Sequence, residues 1–576
     1  MPRIEDVRPA GREAEETLAE KASGLSRRNF LGGVGAAAVM ATGAAGLVPA
    51  AAKAVGPMGD NRSSSAAVLR RNRAFQLRME AATFHKQQPV ADHLTNGDET
   101  LYASRIGNYS KGLPHNSFGE VDPAAYDSLL RAISSNDPDD YDAIVLGGTN
   151  KLTNPQSGLA FDLEGADSHE IAVPAPPALA SAEEAGEGVE LYWMALLRDV
   201  NFLDYGTNAD AAAACADLNR FGADFKGLKA NGQVTPQTLF RDPISGTRIG
   251  PYISQFMWLN TPFGVEFIER KMRTALPGTD HLTSYANWLA AQNGQFPESD
   301  AGEVDPVRRY IRNGRDLAQW LHVDVLFQAY FNACLILMTP PSSDPLFGGI
   351  GCPFNPGNPY LGNPTQIGFG TFGPPYVKTM LCEVASRALK VTWHKKWQVN
   401  RRLRPEAWGG LVHNQIVDDR YPGVIHSKQL DSPALTEVFS RHGSYLLPEA
   451  FPEGSPTHPS YTAGHATVAG ACVTILKALF DENFVIPNPV VPSADGLSLV
   501  PYSGPDLTVK CELNKLASNI ATGRNIAGVH WRSDALESLK AGEAFAISVL
   551  RDQRGCYNER FGGYTFTKFD GTTVTV

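Results

Sequence analysis

The chain has 576 residues, a formal charge of −10, 43% hydrophobic residues and 19% charged residues. This is the composition of a soluble globular protein and excludes both a disordered chain and one embedded in a membrane. The acidic balance argues against a nucleic-acid or anionic-membrane partner, so an anionic ligand would need a local cluster of Lys and Arg.

In chain order, residues 26 to 31 read SRRNFL, and an uncharged Gly/Ala-rich stretch follows from Leu31 to Ala52. This resembles a twin-arginine export signal, with AKA at Ala52 to Ala54 as a small-residue cleavage site. Residues 1–54 are therefore expected to be removed on export to the periplasm or the exterior. A membrane anchor is the alternative, weakened by the abundant Gly and Ala and by Pro49. Helical periodicity then marks Ala66 to Lys86, Ala182 to Asn201, Gly264 to Thr274, Pro306 to Met338, Lys378 to Arg401, Ser460 to Glu482 and Leu513 to Asn525. Strand-like alternation is rare, so the class is all-α.

The most apolar internal run, Val325 to Met338, is broken by Gln328 and Asn332 and is too short to span a bilayer. Pro340 and Pro341 end it, and a loop rich in Gly, Pro and Asn follows, a length often functional or interfacial. Nothing divides the mature chain cleanly, so residues 55–576 read as one helical domain with extended loops. Seven scattered cysteines lack CxxC or zinc-finger spacing. Most are expected to be small buried residues, with one or two disulfides possible after export.

Three segments carry chemistry. In WHKKWQVNRRLRPEAWGG, Lys396 and Arg404 stand eight residues apart before Pro405, compatible with one face if the last helical turn unwinds. A solvated basic face is the bland reading. In GSPTHPSYTAGHATVAG, small and polar residues lead into an apolar helix, placing Gly464 and His465 at an N-terminus whose free N–H groups suit an anion. His458 and His465 could equally be structural. The third segment provides Arg524, Gly528, His530 and Asp534, the last two spaced for a carboxylate over an imidazole on one helix face. That contact would fix the tautomer and free the other ring nitrogen for a metal; a surface salt link is the alternative.

Taken together these segments resemble the vanadium-dependent haloperoxidases, most of all the bromoperoxidases of red and brown algae, within the superfamily that includes type 2 phosphatidic acid phosphatases. The likeness rests on KWQVNRRLRPEA, the seven-residue step from His458 to His465, and GRNIAGVH before Asp534. It extends upstream to LTNPQSGLAFDLEG, ELYWMALLRDVNF and QIGFGTFGPPYVKTMLCEVASRALK. The resemblance implies a pair of helical bundles, a homo-oligomer and a vanadate cofactor without haem. It implies that His530 bonds vanadium and that Lys396, Arg404, Arg524 and the Gly464 N–H hold the oxygens. His465 would be the acid/base, His458 a second histidine typical of bromide oxidation, and Trp393 a wall of the halide pocket or simply core. The partners would be hydrogen peroxide, a halide and a small organic acceptor, with bromide expected, iodide also reactive and chloride open.

One departure stands out. Where the family reads Pro-Ser-Gly-His, this chain has Thr462, Ala463, Gly464 and His465, so a hydroxyl to the oxyanion is missing, at a cost of about 1 to 3 kcal/mol in binding. Two rivals remain. One is a phosphomonoester hydrolase with His530 as nucleophile and His465 as leaving-group acid; the other is an oxyanion-binding protein without catalysis.

Overall fold

Helix starts in this protein are set mainly by short polar side chains that accept an otherwise orphaned backbone N–H. The computed structural model describes residues 64–296, 304–344 and 346–576. Among them the helices of eight residues or more are α1 (Ser64–Lys86), α2 (Pro123–Ser135), α3 (Ala182–Leu196), α4 (Ala209–Asn219), α5 (Tyr285–Gln292), α6 (Gly314–His322) and α7 (Gln328–Met338). They continue with α8 (Pro374–Trp393), α9 (Pro405–Asp418), α10 (Pro433–His442), α11 (Gly464–Leu479), α12 (Val509–Ile526) and α13 (Arg532–Arg554). Asp122, Ser181, Asn208, Ser284, Asn313 and Ser432 cap α2, α3, α4, α5, α6 and α10. By contrast α7, α8, α9, α11 and α12 begin with no capping side chain, α9 and α11 at Arg404 and Ala463.

Helix α11 is the axis of the core. Its sequence GHATVAGACVTILKAL is apolar on every side, and all of it is buried except His465, as expected of a helix surrounded by others. Helices α8, α12 and α13 pack around it. The contact with α13 depends on two glycines: a Cβ on Gly470 would lie 2.1 Å from the Leu539 carbonyl oxygen, and one on Gly542 2.0 Å from that of Thr467. Backbone on both sides leaves nothing to give way, so only Gly lets the axes approach this closely. That approach sets the start of α11 beside the start of α13, where the candidate residues lie.

The all-α expectation holds: the described strands form only three two-stranded antiparallel hairpins, each of three-residue strands. Several elements differ from expectation. Gly264 to Thr274 is not a helix; Thr261–Phe263 pairs with Glu266–Ile268 around Gly264 at φ 66°, a turn that Gly favours and a helix would forbid. The expected Pro306 to Met338 helix begins only at the Asn313 cap and breaks between His322 and Gln328. The expected Lys378 to Arg401 helix ends at Trp393 and widens into a π-helical turn, His394–Asn400, closed by Arg401 at φ 38°.

All seven cysteines are free, five of them buried, so neither disulfide left open by the sequence forms. The Gly/Pro-rich loop folds back on the body, Cys352 N–H donating to Leu337 O and Asn355 N–H to Leu479 O. The export signal and its cleavage site lie outside the described residues. Among the described residues no helix is long and apolar enough to cross a membrane.

Candidate active site

The π-helical turn and the α9 start carry the first two cations inward. A π-helical turn is wider than an α-turn and is often found at functional sites; here it places Lys396 on the buried side, and Lys396 is completely buried. Its Nζ donates to the carbonyls of Pro459 (2.5 Å) and Ser460 (2.9 Å). Arg404, also buried, donates from Nε to His458 O (2.9 Å) and from Nη1 to Val529 O (2.6 Å). Arg524, in the last turn of α12, donates to Leu321 O (3.1 Å) and lies over the Phe451 ring (5.3 Å). Its buried Nε has no hydrogen-bond partner among the described residues.

None of the three cations pairs with a carboxylate within 4 Å among the described residues. Burial, then the charge of Arg404, pushes Lys396 well below its ordinary value near 10.5. Burial also lowers Arg404 to about 10 and lowers Arg524. A buried charge without a direct counter-ion is costly; Asp534 favours the charged forms of Lys396 and Arg404, and Asp324, Glu453 and Glu449 that of Arg524, but none of them is in contact.

His530 and Asp534 meet, but not on one helix face. Trp531 is extended (φ −97°, ψ 161°) and α13 begins only at Arg532. Asp534 therefore reaches back from the first turn, accepting the Trp531 N–H (3.1 Å) and His530 Nδ1 (2.8 Å). Ser460 Oγ also donates to Asp534, and Arg402 Nη1 holds its other oxygen at 2.7 Å. With Nδ1–H committed to Asp534, Nε2 carries the lone pair, and Arg404 Nη1 faces it at 3.0 Å. Burial, then Arg404 and Lys396, hold His530 well below 6.5 and hence neutral. His458 is neutral for the same reasons, burial first and then Lys396 and Arg404; Arg404 Nη2 donates to its Nδ1 at 2.8 Å.

A cavity of about 320 Å³ opens onto this cluster. Leu321, Leu326, Leu389, Trp393 and Phe451 give it an apolar wall, while Arg524, His458, Gly464, His465 and His530 also line it. Lys396 and Arg404 do not reach its surface; they lie behind Trp393, His458 and His530. Trp393 belongs to both of the readings weighed for it, lining the cavity and packing 4.9 Å from the His458 ring. Gly464 and His465 open α11, so their N–H groups have no helical acceptor, and Ala463 provides no cap. Two nearby hydroxyls are already engaged: Ser460 Oγ donates to Asp534, and Ser538 Oγ accepts the Ala463 N–H; Thr462, next to Ala463, carries a further buried hydroxyl.

Sequence reasoning missed Asp324, whose carboxylate faces His465 Nε2 at 3.1 Å. It sits in the α6–α7 break, and an acid directly before the apolar run from Val325 was the available signal. It also missed Arg402, which binds Asp534, Glu184 and Glu187; among the adjacent arginines 401, 402 and 404, spacing alone does not separate site from support.

Comparison with known proteins shows the family. Residues 387–559 match the family described as the VCPO second helical-bundle domain, which contains the α8 end, α11, α12 and α13. The chain is 36% identical to the vanadium-dependent bromoperoxidase of Corallina officinalis over 87% of its own length and 98% of that protein's. It is 32% identical to the enzyme of Ascophyllum nodosum, with 88% and 92% covered. The homohexameric structure of the second vanadate-dependent bromoperoxidase of Ascophyllum nodosum superposes with a TM-score of 0.81 at 32% identity, covering 92% of this chain and 94% of that one. This chain belongs to the vanadium-dependent bromoperoxidase family.

Proposed function

We propose that the chain holds vanadate at this site and oxidises halide with hydrogen peroxide. Halide, peroxide and a proton give hypohalous acid and water, and the hypohalous acid halogenates a small organic acceptor. Bromide is the proposed halide, with iodide also accepted. The observation that carries the reading is the set Lys396, Arg404 and Arg524: three buried basic groups that make no ion pair within 4 Å among the described residues, gathered around a neutral imidazole. An oxyanion supplies the missing negative charge, and each charge-assisted hydrogen bond to it contributes about 1.5 to 3 kcal/mol.

The residues present fit that group. Arg524 Nε has no acceptor among the described residues, the N–H groups at the start of α11 receive no side-chain cap from Ala463, and His530 Nε2 offers a lone pair to a metal. Bound vanadate supplies Lewis acidity that makes a peroxide oxygen electrophilic. Lys396, Arg404, Arg524 and the Gly464 N–H would hold its oxygens, and Lys396 would also donate toward the reacting oxygen. Asp324 orients His465, whose remaining nitrogen takes up and returns protons as peroxide enters and water leaves. His458, neutral and against Trp393, shapes the halide side together with the apolar wall, which keeps bulk water from the reacting atoms. Export of the folded chain after loss of residues 1–54, one domain over 55–576, and a homo-oligomer like the Ascophyllum relative's complete the proposal.

The test is bromination of a phenol-type indicator dye by metal-free protein with hydrogen peroxide and bromide, before and after orthovanadate, alongside His530→Ala. Vanadate-dependent turnover that disappears in the variant is expected. A folded protein inactive at saturating vanadate, but active on p-nitrophenyl phosphate without peroxide, would overturn the reading in favour of a hydrolase.

A further inference from the structure

The cavity holds a second imidazole–carboxylate pair to which no role has been given. His322, the last residue of α6, directs Nε2 at Glu453 Oε1 at 2.7 Å. Both residues line the same cavity as His465 and Asp324. The His322 ring lies flat on Phe451, centroids 4.1 Å apart and planes 7° apart, and Arg524 covers Phe451 as well, at 5.3 Å. The imidazole is therefore fixed by stacking and by its carboxylate, while Nδ1 has no protein partner among the described residues. A helix C-terminus favours a cationic side chain. The side chains of His322 and Glu453 keep 22% and 32% of their exposure, so the pair connects the cavity with solvent.

This arrangement matters because the proposed reaction consumes a proton. Each cycle combines X⁻, H₂O₂ and H⁺ into HOX and H₂O; the halide loses two electrons and the peroxide oxygens gain them. His465 can give one proton and must then be recharged before the next cycle. We propose that His322, positioned by Glu453, is the entry point of that proton: Nδ1 takes it from solvent and passes it through cavity water to His465, and it leaves in the product water. The inference rests on the haloperoxidase reading. The groups facing His322 are Glu453, whose backbone carbonyl is held by Lys111 Nζ at 2.7 Å, Arg524 across Phe451, and Asp324 and His465 on the same cavity.

The test uses vanadate-loaded protein and the variants His322→Gln and Glu453→Gln. Bromide oxidation by His322→Gln should fall about a hundredfold, the low end of what a positioned proton-transfer group contributes. It should recover saturably with added imidazole, while vanadate affinity by equilibrium dialysis stays within about twofold of wild type. Glu453→Gln should fall less and be rescued less, since its imidazole remains. In ¹⁵N-histidine spectra of the loaded wild-type protein, the His322 ring should exchange protons with solvent. Unchanged turnover in both variants, a loss that imidazole does not relieve, or a His322 ring that does not exchange protons with solvent would overturn the proposal. Should His322→Gln fail to fold, Glu453→Gln and the spectra decide. A wild-type protein without vanadate-dependent turnover fails the underlying reading instead, a result separate from any of these.

Discussion

Two groups of buried basic residues lie within a few residues of each other in sequence and are treated oppositely by the fold. Arg402 and Arg532 are saturated: Arg402 meets Glu184, Glu187 and Asp534, and Arg532 meets Glu190 and Asp242. Despite burial, these carboxylates hold both guanidinium groups above their ordinary value. Lys396, Arg404 and Arg524 are equally buried but rest on carbonyls and an imidazole, and all three are lowered. The first group is a finished structure, because each guanidinium has carboxylate partners inside the chain. The second is complete only with an anion from outside, and this contrast points to a ligand more strongly than any one residue does.

The contrast can be broken by mutation. Arg402→Met strands Glu184, Glu187 and Asp534 without their cation, and breaking a buried pair this way costs about 3 to 5 kcal/mol. The urea midpoint followed by circular dichroism should fall sharply, with no relief from vanadate. Lys396→Met removes a charge the metal-free protein cannot neutralise, so its midpoint should hold or rise. Its vanadate affinity, by equilibrium dialysis, should fall by about 1.5 to 3 kcal/mol, roughly tenfold to a hundredfold or slightly more. Equal destabilisation by the two substitutions would erase the distinction between the groups.

Protons provide a gentler probe of the same contrast. Burial and the neighbouring Lys396 and Arg404 depress His458 in the folded state, so the folded protein prefers it neutral while the unfolded chain protonates it near 6.5. Its contribution to stability is therefore present above about pH 6.5 and lost as pH falls below it. Measured as wild type minus His458→Asn, which cancels the other titrating groups, the metal-free difference should decline below pH 6.5 by no more than about 1.4 kcal/mol per pH unit. Phosphate, a tetrahedral oxyanion, should flatten that decline by offsetting the charges of Lys396 and Arg404. A difference independent of pH would mean that His458 does not sense the unpaired cations.

How much of this was legible beforehand follows from locality. The α11 start could be read because small and polar residues run directly into an apolar helix, and Lys396, Arg404, Arg524 and His530 stood in recognisable spacing. Unpaired cations could not be read, since charge balance depends on Glu184, Glu187 and Glu190 on α3, which lie 218 and 215 residues before Arg402 and 342 before Arg532. The Gly264–Thr274 segment shows helical spacing, yet one glycine with positive φ turns it into a hairpin. The break that brings Asp324 to His465 was hidden within a pattern that looked continuous from Pro306 to Met338. Whether His530 lay inside a helix turned on the extended Trp531, a choice of backbone that four-residue spacing does not reveal.

Ala463 offers the finest adjustment of the comparison, because it belongs to the unfinished group yet carries no charge. It precedes α11 in extended conformation (φ −78°, ψ 125°) and caps nothing, while its N–H is already held by Ser538 Oγ at 2.7 Å. In Ala463→Ser a new hydroxyl has two uses, and they separate by experiment. As a helix cap it would stabilise the metal-free protein by about 0.5 to 2 kcal/mol. As a donor to the oxyanion it would leave that stability alone and tighten vanadate binding by about 1 kcal/mol, some fivefold. The second outcome is expected, because the deficit at the start of α11 is one of ligand contacts. A higher urea midpoint with unchanged vanadate affinity would instead show that the first turn of α11 lacks only a cap, leaving the cations behind His530 to account for the anion alone.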